Sequence, residues 1–482
     1  MNPIRRLLSQ TAIYGLSTII GRLLNYLLVP LYTHLFKPDE YGIVTEWYAY
    51  AAFLAVIMTY GMETAYFRFA SKNPEKADTI FHTVYRGIFA STAFLVGVVL
   101  LFQSSISAFL GYAGQEKYLV FFMLITGFDA LTAIPFARLR LRNKAMRFAI
   151  LRLINIALNI GLNLLFLLAL AEPEQPFRFM GFSGIDFIFL SNLISSGFLV
   201  LFMFPLREIR KASDLQIWQD VFAYGFPLLF AGLAGMINET LDRVLLKHLL
   251  PEGESLYAVG IYGACYKVSI IMTIFVQTFR YAAEPFFFSH AKEEKPQLLY
   301  ARVMNLFVFV CGIIYVATLV FMDVVQHFIG PDYRSGLFIV PILLLANWFL
   351  GIYYNLSIWY KLSDTTMAGV WMSGIGAAVT LIANFLLIPK LGYAGAAWAT
   401  LVCYALMMVV SWLWGQRKYP VPYSALKIGL LIGIALLLTM LFEQMKPEPG
   451  VGRVLSSIIL LLAYLGAGIF ILKEEIRVWV KR

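Results

Sequence analysis

Residues 366–415 read TMAGVWMSGIGAAVTLIANFLLIPKLGYAGAAWATLVCYALMMVVSWLWG and carry one charged side chain, Lys390. A helix that crosses about 30 Å of hydrocarbon at about 1.5 Å per residue needs about 20 apolar residues. The stretch is therefore long enough for two crossings, with Pro389, Lys390 and Gly392 as the punctuation between them. The rest of the chain repeats this pattern. Of 482 residues 60% are hydrophobic and 14% charged, against roughly 45–50% and 25% in soluble domains. Folded in water, such a chain would expose apolar residues on every face, which excludes a soluble enzyme or a nucleic-acid-binding domain. The net charge of +10 is read as cytoplasmic loops facing anionic membrane lipids, with no nucleic-acid partner.

Cutting the sequence at polar and Pro/Gly punctuation predicts an all-α polytopic membrane protein with 14 transmembrane helices. Their limits are 10–35, 41–70, 79–110, 117–141, 146–171, 184–206, 218–249, 256–289, 298–328, 333–361, 366–389, 392–415, 423–443 and 453–473. The basic amino terminus runs into the first span without a small-residue cleavage site and is read as retained. Cys265, Cys311 and Cys403 lie inside apolar runs, so they suggest neither disulfides nor a zinc site. Loops on the side of Arg5, Arg138, Arg142, Arg210 and Arg477 hold more than twice the Lys and Arg of the opposite loops. Both termini are therefore expected in the cytoplasm. The gaps between spans are too short for a folded catalytic domain, so the chain is read as a transporter, not an enzyme.

The chain also echoes itself. Tyr14-Gly15 recurs as Tyr224-Gly225, His34-Leu35 as His248-Leu249, and Gly42-Ile43 as Gly260-Ile261. Leu141, Met146 and Asn163 match Leu362, Met367 and Asn384. The separations lengthen steadily, as insertions after a duplication would produce. Span 1 then maps to span 7 and span 5 to span 11, an even shift that preserves orientation. The expectation is two parallel six-helix repeats facing each other across a cavity. Their bounds are 1–210 and 211–415, with spans 13 and 14 and a basic tail in 416–482.

Ionisable groups inside a bilayer cost at least about 2.5 kcal/mol each at a helix centre, so their positions are informative. Arg22, Asp129 and Lys267 fall near mid-span, whereas Glu63, Arg68, Arg280 and Glu284 lie nearer the cytoplasmic ends. Two readings are open: cationic side chains lining a substrate cavity, or ion pairs that hold helices together. Towards the outer side Asp242 in span 7, Thr380 and Asn384 in span 11 and Thr400 in span 12 sit at compatible depths. A carboxylate, an amide oxygen and hydroxyls are hard ligands suited to Na⁺, and the carboxylate could bind H⁺. Interhelical hydrogen bonding is the other reading, as it is for the ladder Asn155, Asn159, Asn163.

Four segments carry a family resemblance: the Tyr14-Gly15 run leading to Arg22, LYTHLFKPDEYGI at 31–43, RLRLRNKAM at 138–146 and NFLLIPKLGYAGAAWAT at 384–400. With the span count and their order, these resemble the polysaccharide-transporter branch of the multidrug/oligosaccharidyl-lipid/polysaccharide (MOP) exporter superfamily. These are the Wzx-type flippases of O-antigen, lipopolysaccharide and capsule synthesis. The resemblance implies a V-shaped pair of lobes in the bacterial inner membrane. It also implies alternating access for an undecaprenyl-diphosphate-linked oligosaccharide whose diphosphate is held by cavity cations. Related lipid II flippases use an Asp of span 7, two residues of span 11 and a Thr of span 12 for Na⁺, positions that Asp242, Thr380, Asn384 and Thr400 match. Span 11 in this chain offers no carboxylate, which leaves coupling to Na⁺, to H⁺ or to neither open. No other cofactor is expected, and the protein is read as a monomer, with other glycan-assembly proteins as potential partners. The alternatives are a multidrug exporter of the same superfamily, in which acidic cavity residues should dominate, and a membrane glycan polymerase or ligase, which usually carries a large extracytoplasmic loop.

Overall fold

The computed structural model describes residues 20–21, 23–170, 178–179, 181–205, 213–291, 294–363, 365, 367–445 and 450–480. Among them the chain is a succession of α-helices, with one two-residue antiparallel pairing of Arg178–Phe179 and Phe182–Ser183. Twelve helices are long and apolar enough to cross a membrane, and one bent pair makes a thirteenth. These thirteen fall on expected spans 2 to 14. Of the first expected span, residues 10–19 and 22 lie outside the described residues, and its final part is helix α1 (Leu28–Leu35). By contacts the chain divides into two compact units, residues 1–244 and 245–482.

The first unit contains α2 (Pro38–Thr59), α3 (Met62–Lys72), α4 (Ala77–Leu101), α5 (Glu116–Leu141), α6 (Ala145–Leu164), α7 (Asp186–Met203) and most of α8 (Leu215–Leu249). The start of α2 is written locally. Pro38 takes the first helical position, and Glu40 accepts a hydrogen bond from the Lys37 backbone N–H at 3.0 Å, satisfying a donor the helix leaves over. The α2–α3 span is interrupted at Tyr60 and Gly61, both with positive φ (31° and 75°). A Cβ at Gly61 would overlap the Gly225 carbonyl of α8, so glycine meets two demands there: the left-handed backbone and the close approach.

Helix α5 is the hub of this unit, packing against α2, α3, α4 and α7. Its Phe122 stacks on the fully buried Trp47 of α2, with centroids 5.5 Å apart, and meets Phe189 of α7 edge-on at 4.9 Å. Beside Trp47 the Glu46 carboxylate is also fully buried. It accepts from the Tyr50 hydroxyl at 2.8 Å and the Tyr112 hydroxyl at 2.5 Å. Asn163 of α6 is buried and accepts from Tyr32 of α1 at 2.9 Å, so this rung of the asparagine ladder ties two helices together.

The second unit contains α9 (Ser255–Val268), α10 (Ile270–His290), α11 (Pro296–Val320), α12 (Val340–Leu356), α13 (Met367–Leu391), α14 (Tyr393–Lys418), α15 (Ala425–Met445), α16 (Val451–Ile471) and α17 (Lys473–Val480). Helix α14 packs on both α12 and α13, and α11 packs on α15 and α16. Expected span 8 is not one straight helix: α9 and α10 meet at Ser269 with a 51° bend. The Ser269 hydroxyl donates to the Tyr266 carbonyl at 2.7 Å, taking up an acceptor near the break. Glycines set the α11–α16 seam. Gly312 receives the Tyr464 hydroxyl, Gly468 receives the Phe309 ring, and the two rings stack at 5.8 Å. Small residues let membrane helices approach closely, and dispersion then supplies the attraction. At the end of the chain, Glu475 of α17 accepts from Lys427 at 2.8 Å and from Asn305 at 3.0 Å. Burial would raise the Glu475 carboxyl, but these hydrogen bonds outweigh it and hold the group below its ordinary range.

Two stability outcomes follow from this packing. Gly312→Val should overpack the α11–α16 seam and cost about 1–3 kcal/mol, read as earlier thermal unfolding in detergent. Glu46→Leu withdraws the buried acceptor from two tyrosines and should cost about 1–3 kcal/mol, with Glu46→Gln losing less because one oxygen remains. Wild-type unfolding profiles for these variants would contradict both packing roles.

Candidate functional site: charged side chains within the spans

Arg22 lies outside the described residues. Each of the other expected cavity residues has a definite local setting. In the first unit, Glu63 stands in the first turn of α3 and pairs with Arg140 in the last turn of α5. Asp129, midway along α5, accepts from the Ser196 hydroxyl of α7 at 2.9 Å while keeping an open surface. Arg68 is exposed and lies over the Tyr224 ring at 4.2 Å, the tyrosine of the repeated Tyr-Gly pair.

Sequence reasoning passed over the side chain that links two of these. Arg152 of α6 lies over the Phe136 ring at 4.3 Å and is within electrostatic reach of Asp129, Glu63 and Arg140. Glu63 and Asp129 thus share a cationic neighbour, and two carboxylates and two guanidiniums form a mixed-charge strip across α3, α5 and α6. The signal was present in the sequence as a charge inside an apolar run, as it was for the buried Glu46.

In the second unit, Lys267 is half-buried in the last turn of α9, immediately before the Ser269 break. That is where a helix leaves carbonyls over and its dipole favours a cation. Arg280 of α10 donates to Glu284 at 2.8 Å one helical turn on, and lies over Tyr354 at 4.6 Å. Lys361 donates to the same Glu284 oxygen at 2.7 Å. One carboxylate therefore serves two cations, and the group carries a net positive charge.

The expected outer cluster is divided between the units. In α8, Asp242 is buried, and its Oδ1 accepts from the Arg243 backbone N–H at 2.8 Å and from its guanidinium at 3.1 Å. In the second unit, Thr380, Asn384 and Thr400 are all buried, on the packed pair α13 and α14. Asn384 donates to the Thr380 carbonyl at 2.7 Å, and Thr400 donates to the Ala396 carbonyl at 3.0 Å. The Asn384 side-chain oxygen is buried with no hydrogen-bond partner among the described residues. Such an acceptor costs about 1–3 kcal/mol unless water or a cation reaches it. Among the described residues no three His, Cys, Asp or Glu side chains gather as a metal site.

Comparison with known proteins places this arrangement. A multidrug resistance MATE family transporter of the MOP superfamily, in an inward-facing conformation, matches with a TM-score of 0.64 at 14% identity, covering 83% of this chain and 94% of that one. The lipid II flippase MurJ, in an inward closed conformation, matches with a TM-score of 0.63 at 15% identity, covering 96% and 99%. The fold is thus the one shared by these transporters, and the chain is an integral membrane protein. Protein 1 of the Lsg locus of Haemophilus influenzae is 21% identical over 365 residues, which is 71% of this chain and 84% of that protein. A family model described as polysaccharide biosynthesis protein matches residues 7–291. With more than half of its length inside that model, the chain belongs to the polysaccharide biosynthesis protein family.

Proposed function

We propose that this protein is a flippase that carries an undecaprenyl-diphosphate-linked oligosaccharide across the bacterial inner membrane by alternating access, with both termini in the cytoplasm. The observation that carries the reading is the excess of cations over carboxylates inside the spans of a polysaccharide-biosynthesis protein. Arg280 and Lys361 share Glu284, Arg68 rests on a tyrosine ring, and Lys267 sits at a helix break. The likeness of the fold to a lipid II flippase supports it.

The physical task is to move a charged head group while its tail stays in lipid. A diphosphate and a hydroxyl-rich glycan are solvated by water and rejected by hydrocarbon, so unaided crossing is prohibitively slow. Cationic side chains replace water around the phosphates, and Asn, Tyr and Ser groups replace it around the sugars. No covalent bond changes. The side chains bind, orient and release, and the two lobes expose them to one side at a time.

Arg22→Ala combined with Lys267→Ala should abolish surface glycan in a strain that depends on this protein, while the protein remains in the membrane. Loss of a charged hydrogen bond is worth about 1.5–3 kcal/mol, or roughly tenfold or more in affinity per contact. Normal glycan display by the well-expressed double variant would overturn the cationic-cavity reading. A cell that displays glycan normally without the protein but becomes sensitive to toxic cations would favour the multidrug-exporter alternative.

Coupling is proposed to involve Asp242, Thr380, Asn384 and Thr400, with Na⁺ or H⁺ as the ion. The buried Asn384 oxygen supports this, because it has no donor among the described residues. Asp242→Asn should reduce transport and flatten its dependence on Na⁺ or on pH, measured in vesicles under imposed gradients. Unchanged transport with unchanged ion dependence would reduce these residues to interhelical packing.

A further inference from the structure

The turn between α5 and α6 closes a cavity of about 360 Å³ inside the first unit, within the roughly 300–1,000 Å³ range of small-molecule sites. Four cations line it: Arg138, Arg142, Lys144 and Arg147. Its other walls are apolar, among them Phe81 of α4, Leu151 of α6, and Phe202 and Phe204 at the end of α7. Arg138 and Arg142 both donate to one oxygen of Asp78, at 2.8 and 2.5 Å, so a single exposed carboxylate serves both. Lys144 and Arg147 are exposed and outside that pairing.

The local helix electrostatics run the same way. Lys144 precedes the first residue of α6, and the first turn of that helix contains Arg147 and no acidic residue. Helix amino termini present unused N–H groups and a positive dipole end, and natural sequences place acids there. A helix that begins with cations leaves positive charge uncompensated beside the cavity, and an anion bound at that place removes the conflict. At its mouth the lining Phe202 is itself exposed, and Met146, Ile150 and Leu201 are further exposed large apolar side chains on the same two helix ends. A soluble anion has no use for such a border, whereas a lipid needs it.

We propose that this cavity binds the phosphate headgroup of an anionic phospholipid from the adjoining leaflet, with acyl chains lying along Met146, Ile150, Leu201 and Phe202. Basic pockets between membrane helices are the recognised form of such sites. Lys144 and Arg147 supply the charge, the start of α6 supplies backbone donors, and Arg138 and Arg142 are held in place by Asp78. The bound lipid fastens the ends of α4 to α7 and fixes the depth of this unit in its bilayer.

The test uses the purified full chain in detergent, with added cardiolipin, phosphatidylglycerol, phosphatidylcholine, undecaprenyl diphosphate or inorganic phosphate. Native mass spectrometry counts bound lipid, and thermal unfolding reads the stabilisation. Wild type should retain and be stabilised by the two anionic phospholipids in preference to phosphatidylcholine. Removing two interfacial cations in Lys144→Gln/Arg147→Gln should weaken that binding roughly thirtyfold. The charge-retaining pair Lys144→Arg/Arg147→Lys should restore it, which separates lost binding from lost folding. Equal retention by the charge-removed variant would overturn the proposal. So would displacement by millimolar inorganic phosphate, or binding of undecaprenyl diphosphate with no affinity for phospholipid.

Discussion

Hydrocarbon does not solvate charge, and that constraint organises the interior of this protein. Each ionisable group within a span must be given a partner by the protein, because the lipid supplies none. The partners found are a short inventory. Glu63 has Arg140, Asp129 has a serine hydroxyl and the field of Arg152, and Glu284 has Arg280 and Lys361. Aromatic faces serve as well: Arg68, Arg152 and Arg280 each lie over a ring, where the quadrupole attracts a cation without costing a carboxylate. A cation held by a ring keeps its hydrogen-bonding edge for another ligand, which a guanidinium locked in a bidentate ion pair does not.

The same constraint gives meaning to the interruptions in the helices. A continuous helix consumes its own backbone groups and offers a ligand only side chains. Among the described residues, the interruptions within spans include those at Tyr60–Gly61 and at Ser269. At Ser269 the last turn of α9 carries Lys267, so that side chain meets the carbonyl-rich end of a helix rather than its middle. At Gly61 the break brings backbone against backbone, with the Gly225 region of α8 filling the space a side chain would occupy. Broken spans are tolerated where protein or a polar cavity surrounds them, which makes them markers of working regions in transporters.

Hydropathy made the spans legible because their signal is additive over about 20 residues and survives local error. The interval expected at 117–141 and the helix Glu116–Leu141 differ by one residue at one end. The Ser269 break was not legible, because serine, unlike proline, does not forbid a helix and its role there depends on tertiary packing. Among the charges, mid-span position pointed to Asp129 and Lys267, but partners are set by which helices adjoin. Arg152 and Glu46 could have been found as charges in apolar runs. Their neighbours Asp129 and Tyr112 are distant in sequence, and a linear reading cannot supply that proximity. The outer set shows the same limit. Spacing placed Thr380 and Asn384 on one face, whereas the engagement of Asp242 by its own neighbour Arg243 is a matter of rotamer and packing.

Partial satisfaction separates structural charge from working charge. Glu46 is buried and accepts from two tyrosines, so it holds the α2 core together and has little capacity left for a ligand. Glu284 and Asp78 are each shared by two cations, and a shared carboxylate neutralises only one of them. The surplus positive charge is tolerable near water or lipid phosphate and costly in hydrocarbon. On the proposed readings, this surplus is what would draw an anionic group to each place, a transported head group beside Glu284 and a retained lipid headgroup beside Asp78. For a carrier of the proposed kind, partial compensation at the transported site is a compromise. Full compensation would leave nothing to bind with, and complete absence of compensation would hold a diphosphate too tightly to release it.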